Sequence, residues 1–300
     1  MKNKPILIVA GEPYSIFFEI FFKSIKKKVY KSPLILICCK KNLIIQMKKF
    51  NFTKEIRTLD LKDLNKTKIK NDKINLINIE LGNSNTKRLK LKLKSIYIEK
   101  CFNIAFQLIK KGYTNKFING PINKKTFLNK KFLGVTEYVA SKFNKYKIGM
   151  LIYNKKLSVS PLTTHLPIKF VSKKITKKLI EEKIMLINSF FKKKLIINPK
   201  IALTGLNPHC ESIHKYNEDE KIVSSAIRSL IKKKISIKGP YPADTIFLKA
   251  NRRKFDVIVG MYHDQVLTPI KTLFEYDAIN ITMGLPFLRV TPDHGPNEKM

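Results

Sequence analysis

The segment Asp256-Val-Ile-Val-Gly260 runs directly into Met261-Tyr-His-Asp-Gln265. A short apolar run that gives way at once to polar residues predicts a buried strand followed by a ligand-binding loop. The predicted strand Lys200–Thr204 is followed in the same way by Gly205-Leu-Asn-Pro-His209. Because ligands bind at the carboxyl ends of the strands in open α/β sheets, these stretches predict an α/β protein whose function lies in its strand-end loops.

Short apolar runs alternate with longer helical patterns along the rest of the chain, with no internal repeat and no long linker. This alternation predicts a largely parallel sheet with helices on its faces. The other strands are predicted at Ile6–Ala10, Leu34–Cys38, Ile74–Ile79, Lys147–Ile152 and Ala278–Thr282. Helices are predicted at Ile16–Lys26, Ile96–Lys110, Thr176–Lys192, Asp219–Ile231 and Ala243–Ala250.

Length and composition restrict the class of protein. A chain of 300 residues with 44% hydrophobic residues can form one large α/β domain or two lobes, and it is too apolar to be intrinsically disordered. No apolar run approaches the ~20 residues that span a bilayer, so no membrane partner is expected. Met1–Ala10 is interpreted as a buried first strand rather than a signal peptide. The four cysteines have no C-x-x-C spacing, which is typical of inert thiols in a reducing cytoplasm.

The net charge of +38 favours nucleic-acid binding at first sight. However, only six of the 60 basic residues are arginine, the residue that recognises bases and phosphates in bidentate fashion. The lysines are dispersed, and their abundance together with isoleucine and asparagine is typical of AT-biased coding. We therefore expect no specific nucleic-acid partner.

Three histidines, His165, His209 and His263, lie in polar loops close to predicted strand ends. If the strand ends meet at one edge of the sheet, three neutral imidazoles there form a divalent-metal site with open positions for substrate. Asp264 and Asp244 are candidates to orient the rings. The alternative is that the three are unrelated polar residues of separate loops.

Lys271, Asn280 and Arg289 are spaced nine residues apart around the predicted strand Ala278–Thr282. Such donors suit a phosphate or carboxylate, which Arg289 is able to bind in bidentate fashion. The alternative, a solvated surface charge, is stronger for Lys271 in so lysine-rich a chain. The loop that starts at Gly11 has neither G-x-G-x-x-G nor G-x-x-x-x-G-K, so it carries no dinucleotide or P-loop signal.

An ordered set of motifs from residue 11 to residue 295 resembles the PdxA family. The most specific are Met261-Tyr-His-Asp-Gln265 and Gly205-Leu-Asn-Pro-His209. The others are Gly11-Glu-Pro13, Gly120-Pro-Ile-Asn-Lys124, Gly134-Val-Thr-Glu137, Thr163-Thr-His-Leu-Pro167, Ala243-Asp-Thr245, Gly284-Leu-Pro286 and Thr291-Pro-Asp-His-Gly295.

The resemblance implies a fold similar to isocitrate and isopropylmalate dehydrogenases, with residues 1–300 forming one catalytic unit of two α/β/α lobes and an active-site cleft between them. It implies a cytoplasmic homodimer with a shared active site. The expected reaction is NAD-dependent oxidation and decarboxylation of 4-hydroxythreonine 4-phosphate to 3-amino-2-oxopropyl phosphate in vitamin B6 (pyridoxal phosphate) biosynthesis.

The resemblance also implies roles for single residues. His165, His209 and His263 match the ligands of a divalent metal, with zinc, magnesium and cobalt as candidates. Thr136, Lys271, Asn280 and Arg289 match substrate contacts. Asp244 is our candidate for the general base, and no residue is assigned to NAD.

The chain departs from the family pattern at several motifs. The family has a histidine where Val135 stands, and small residues and a proline where Tyr14, Ser15, Phe17 and Phe18 stand. Cys210-Glu-Ser-Ile213 replaces a glycine-containing stretch, and His214 is one position away from the family's next histidine, so its role is not transferred. These departures keep two alternatives open: a catalytically impaired homologue, or a related dehydrogenase for another phosphorylated hydroxy acid.

Overall fold

The computed structural model describes residues 3–82, 86–123, 127–128, 132, 134–211 and 217–292. The chain forms a mixed α/β fold, as predicted, and divides into two units. The first unit comprises Met1–Asn144 with Pro286–Met300, and the second comprises Lys145–Leu285. Lys124 and His214 lie outside the described residues, as does the part of the last motif after Pro292.

The described residues of the first unit form six strands, all parallel, in the order β3-β4-β2-β1-β5-β12. The strands are β1 (Ile6–Val9), β2 (Leu34–Cys38), β3 (Ile56–Thr58), β4 (Ile74–Asn78), β5 (Lys116–Asn119) and β12 (Leu288–Thr291). The helices are α1 (Phe17–Lys27), α2 (Lys40–Lys49), α3 (Lys87–Lys110) and α4 (Val135–Ser141).

Strand alternation sends the side chains of the first unit to two faces of its sheet. Ile8 and Leu36 belong to a buried cluster with Phe18 and Phe22 of α1. Their strand neighbours point the other way, toward α3, where the Tyr97 hydroxyl accepts a hydrogen bond from the Cys39 backbone N–H at 3.0 Å. This sheet is therefore covered by helices on both faces, as expected for parallel strands.

In the second unit the part of the chain that the structure describes has six strands, in the order β11-β6-β7-β10-β8-β9. Strand β6 is antiparallel to both of its neighbours, and β7, β10, β8 and β9 are parallel. The strands are β6 (Gly149–Tyr153), β7 (Ser158–Pro161), β8 (Ile201–Thr204), β9 (Ile237–Tyr241), β10 (Val257–Gly260) and β11 (Ile279–Met283). The α-helices are α5 (Val171–Lys174), α6 (Lys177–Phe190), α7 (Ser225–Lys232), α8 (Ala243–Ile246), α9 (Lys249–Arg252) and α10 (His263–Phe274). Short 3-10 turns at Ile168–Phe170 and Pro208–Cys210 and π turns at Phe191–Leu195 and Asp219–Ser224 complete the described elements.

Two predicted helices differ from the structure in a way that local backbone geometry explains. The predicted helix Ala243–Ala250 is wrong as a single element, because Leu248 is extended (φ −59°, ψ 142°) and separates α8 from α9. The predicted helix Asp219–Ile231 begins as a π turn and becomes α-helical only at Ser225. No helix within the described ranges is both long enough and apolar enough to cross a membrane.

Candidate active site

Four neighbouring parallel strands of the second unit, β7, β10, β8 and β9, end at the same edge of the sheet. Each is followed within a few residues by a side chain that the sequence selects as functional. These side chains are, in strand order, His165, His263, His209 and Asp244. The structure thus places the loops of the three histidines, and that of Asp244, at one edge of the second unit's sheet.

His165 and His263 are close to each other, with ring centroids 5.9 Å apart and ring planes 37° apart. Two imidazoles whose nitrogens each lie ~2.1 Å from one ion have ring centres about 5 to 6 Å apart. The Nδ1 atom of His263 lies 2.7 Å from an Oδ1 of Asp264, which leaves its Nε2 to face an ion. The pair is thus close enough to share a divalent metal, and Asp264 contacts the ring that it is predicted to orient.

His209 lies in the loop after β8, the strand next to the one that carries His263. Its backbone is left-handed (φ 56°), as is that of Cys210 (φ 61°), and this conformation is unfavourable for residues with a side chain. Among the described residues, no three His, Cys, Asp or Glu side chains are arranged so as to hold a metal ion. The structure therefore brings two of the predicted ligands together and places the third on the adjacent strand.

Cys210 fills the space behind this strained turn. A side chain added at Gly205 would meet the Cys210 Sγ at 2.6 Å, so the close approach of the thiol requires glycine there. Burial is the largest cause that raises the pKa of Cys210 to about 11, and the negative charges of Asp219, Asp244 and Glu211 contribute to the same shift. Asp244 follows β9, which pairs with β8, the strand that precedes the His209 loop.

The loops after β8 and β10 are joined by Gln265, which lies in the first turn of α10. Its Oε1 accepts hydrogen bonds from the Met261 N–H at 2.7 Å and the Thr204 hydroxyl at 2.8 Å. Its Nε2 donates to the Gly205 carbonyl at 2.9 Å. From the sequence Gln265 was recognised only as part of a motif and was given no role, because the partners of its amide come together in the folded chain.

Two further side chains hold the strand-end loops in place. The Thr163 hydroxyl donates to the Met261 carbonyl at 2.8 Å and so joins the His165 loop to the His263 loop. The buried carboxylate of Asp219 accepts hydrogen bonds from the backbone N–H groups of Leu206 and Asn207 at 2.6 and 3.0 Å. All three histidine loops are therefore attached to fixed parts of the second unit.

The first unit brings together two of the four predicted substrate contacts, Thr136 and Arg289. The Arg289 guanidinium is almost fully buried and donates from one terminal nitrogen to the Thr136 hydroxyl at 3.1 Å. Its Nε donates to the Asn119 side-chain oxygen at 3.0 Å. Burial lowers the pKa of Arg289 to about 9, while the negative charge of Glu137 opposes that shift. Asn119 was not selected from the sequence, yet it orients the guanidinium.

The motifs that start at Gly11 and Gly120 are in direct contact at the ends of β1 and β5. Gly11 has φ 80°, and a side chain there would clash with the Pro121 carbonyl, so the motif starting at Gly11 packs directly on the motif starting at Gly120. The Glu12 N–H donates to the Pro121 carbonyl at 3.0 Å, and a Glu12 carboxylate oxygen accepts from the Asn123 N–H at 3.3 Å.

The aromatic residues that replace small ones after Gly11 belong to the core. Phe17 and Phe18 are buried against the sheet as part of α1, whereas Tyr14 is exposed with the Lys94 ammonium 5.2 Å from its ring centre. This departure from the family pattern is therefore accommodated by packing.

The two other predicted substrate contacts belong to the second unit. Lys271 is an exposed residue of the last turn of α10, and Asn280 is a partly buried residue of β11. Val135 is the first residue of α4, directly before Thr136.

Comparisons with known proteins agree with these motifs. A 4-hydroxythreonine-4-phosphate dehydrogenase from Sulfurihydrogenibium sp. is 36% identical over 299 residues, which cover 97% of this chain and 89% of that protein. A D-threonate 4-phosphate dehydrogenase from Salmonella typhimurium is 29% identical over 302 residues, covering 98% of this chain and 92% of that protein. The crystal structure of a 4-hydroxythreonine-4-phosphate dehydrogenase from Klebsiella pneumoniae superimposes with a TM-score of 0.81 at 27% identity, covering 99% of this chain and 93% of that one.

The family assignment rests on most of the chain, since all three strand-end histidine loops and the buried Arg289 fall inside the matched region. Residues 31–297 match the family described as "Pyridoxal phosphate biosynthetic protein PdxA", and this chain belongs to that family.

Proposed function

We propose that this protein is a metal-dependent dehydrogenase that oxidises and decarboxylates 4-hydroxythreonine 4-phosphate with NAD, in the biosynthesis of pyridoxal phosphate. The observation that carries the proposal is the edge of the second unit's sheet, where four neighbouring strands end in His165, His263, His209 and Asp244. Membership of the PdxA family and the relative from Sulfurihydrogenibium support the same reaction.

His165, His209 and His263 are the proposed metal ligands, and zinc, cobalt or magnesium is the proposed ion. A divalent ion at this position supplies Lewis acidity, which lowers the pKa of a bound alcohol and stabilises negative charge on a carbonyl oxygen. Asp264 fixes the tautomer of His263 through the contact at Nδ1, so that Nε2 keeps its lone pair for the ion.

Arg289 and Thr136 are the proposed contacts for the anionic group of the substrate, with Lys271 and Asn280 as further contacts. The buried guanidinium has few competing waters, which strengthens its interaction with a phosphate or a carboxylate. Its Nε is occupied by Asn119 and one terminal nitrogen by Thr136, so its orientation is set before the substrate arrives.

The reaction requires a base for the hydroxyl proton, and Asp244 is the proposed base. It is exposed at the start of α8, shortly after β9, the strand next to the one that precedes the His209 loop. NAD accepts the hydrogen of the secondary alcohol with its two electrons. The resulting β-keto acid then loses its carboxylate as carbon dioxide, and a proton takes its place on that carbon to give 3-amino-2-oxopropyl phosphate.

We also propose that the enzyme works in the cytoplasm as a homodimer whose copies share their active sites. Analytical ultracentrifugation measures the oligomeric state directly. A monomer that is fully active at all protein concentrations would contradict the homodimer with shared active sites.

Removal of a single ligand tests the proposed function. His209→Ala and His263→Ala should each abolish activity and lower the bound-metal content measured by atomic absorption, while circular dichroism stays unchanged. His214→Ala, an imidazole without an assigned role, is the matched control and should keep its metal. If the metal content is unchanged in both test variants, the ligand assignment is wrong.

A further inference from the structure

Gln265 makes three hydrogen bonds that cross between two strand-end loops. Its Oε1 accepts from Met261 N–H and from the Thr204 hydroxyl, and its Nε2 donates to the Gly205 carbonyl. The backbone N–H 2.7 Å from the side chain must face the amide oxygen, which fixes the orientation of the amide. The three hydrogen bonds therefore form one network, which sets the distance between the loop after β10 and the loop after β8.

Both of these loops carry a proposed metal ligand a few residues from the amide. His263 lies two residues after Met261, and His209 lies four residues after Gly205. Metal–nitrogen distances are tolerated only within ~0.2 Å of their optimum, so a small shift of one loop removes its imidazole from the ion. The Thr163 hydroxyl already joins the His165 and His263 loops, whereas its hydrogen bond does not reach the described part of the His209 loop.

We propose that Gln265 is a positioning residue that holds the His209 loop beside the His263 loop, so that both imidazoles reach the same ion. The proposal rests on the metal site of the proposed function. It assigns the coupling between two of the ligands to a side chain that is neither a proposed ligand nor a proposed substrate contact. Residues of this kind typically change metal affinity by 10- to 100-fold when they are replaced.

Two replacements separate the hydrogen bonds from the shape of the side chain. Gln265→Met keeps the length of the side chain and removes all three bonds. Gln265→Glu keeps an oxygen for Met261 and Thr204 but places a second carboxylate oxygen against the Gly205 carbonyl, which it repels. Gln107→Met, at an exposed position of α3, is the matched control.

Calorimetric titration of the metal-free protein with cobalt(II) provides a readout independent of turnover. Gln265→Met should weaken cobalt binding about 10- to 100-fold, Gln265→Glu should weaken it in the same direction, and Gln107→Met should leave it unchanged. Thermal unfolding of the metal-free variants identifies any that fail to fold. If Gln265→Met does not fold, cobalt affinity is compared between Gln265→Glu and the wild type.

A double-mutant cycle distinguishes positioning from a general loss of structure. In a His165→Ala background, Gln265→Met should still weaken cobalt binding about tenfold or more. In a His209→Ala background its effect should fall below about twofold, because the loop that it positions no longer supplies a ligand. If Gln265→Met weakens cobalt binding equally in the two backgrounds, the positioning role is wrong, whereas the metal-site assignment is unaffected. If His209→Ala alone leaves cobalt affinity unchanged, the metal assignment fails, and this proposal fails with it.

Discussion

At the scale of single residues, the clearest departure from the family pattern is Val135, which directly precedes the Thr136 hydroxyl that contacts Arg289. Valine offers no hydrogen-bond donor to a phosphate, and such a bond to a charged group contributes about 1.5–3 kcal/mol. Because each ~1.4 kcal/mol is about tenfold in rate, Val135→His should raise kcat/KM for 4-hydroxythreonine 4-phosphate by about tenfold or more. Steady-state kinetics measures this change.

The control for Val135→His is Val29→His, because Val29 is 99% exposed and lies in a different part of the first unit. It should leave kcat/KM unchanged, and cobalt affinity should be the same in both variants. A wild type that is already as active as histidine-bearing relatives, and gains nothing from the substitution, would show that another group fills this role.

Sequence alone pointed to groups that bear chemistry, whose roles stay predictions, and it gave no role to several groups that the structure joins by hydrogen bonds. The histidines were selected because imidazoles in strand-end loops have few structural reasons to be there. Gln265, Asp219 and Asn119 were not selected, because their hydrogen-bond partners come close in the folded chain and not in the sequence. The Gln265 amide joins Gly205 to Met261, and Asn119 accepts a hydrogen bond from the Arg289 Nε, although the residues joined are far apart in sequence.

At the scale of secondary-structure elements, the end of α7 offers a test of local backbone strain. Lys234 is left-handed (φ 58°), with its N–H bonded to the Ile231 carbonyl at 2.8 Å and the Ile235 N–H bonded to the Leu230 carbonyl at 3.2 Å. Helix α3 ends in the same pattern, but with Gly112 in the left-handed position (φ 74°). The pattern favours glycine because a side chain is strained there.

Lys234→Gly should therefore stabilise the protein by about 0.5–1 kcal/mol, since relief of the left-handed strain exceeds the entropic cost of glycine. Arg228→Gly, an exposed position inside the helix, should destabilise it by a similar amount. Chemical denaturation of the two variants measures both free energies of unfolding. Shifts of the same sign would contradict the strain at Lys234.

A strand or helix is predictable from sequence where its own apolar residues determine which of its side chains are buried. Strand β2 has the predicted bounds Leu34–Cys38, since its five residues form an uninterrupted apolar run. The strands β3, β5, β7, β9 and β12 were missed. Strand β7, Ser158-Val-Ser-Pro161, is fully buried, yet half of its residues are serine, and its burial comes from the neighbouring strands β6 and β10. Helix α3 was predicted nine residues too short, because its lysine-rich start resembles a surface loop.

At the scale of the whole molecule, the net charge of +38 predicts weak binding to any polyanion. Three of the six arginines are engaged within the fold. Arg57 contacts Asp72, Arg252 donates to the Phe247 carbonyl, and Arg289 is buried. The affinity for RNA or DNA should therefore be independent of sequence, with a Kd no tighter than about 1 µM at physiological salt. Fluorescence anisotropy over a salt series measures it, and nanomolar, sequence-selective binding would refute this expectation.

Formation of NADH from 4-hydroxythreonine 4-phosphate is the measurement that shows whether this chain is an active, metal-dependent member of its family. The chelator-treated protein should form no NADH, and addition of zinc, cobalt or magnesium should restore it, with one carbon dioxide released per NADH. D-threonate 4-phosphate, assayed in parallel, should be the poorer substrate. Absence of NADH with every one of these metals, or turnover that is indifferent to the chelator, would contradict the account.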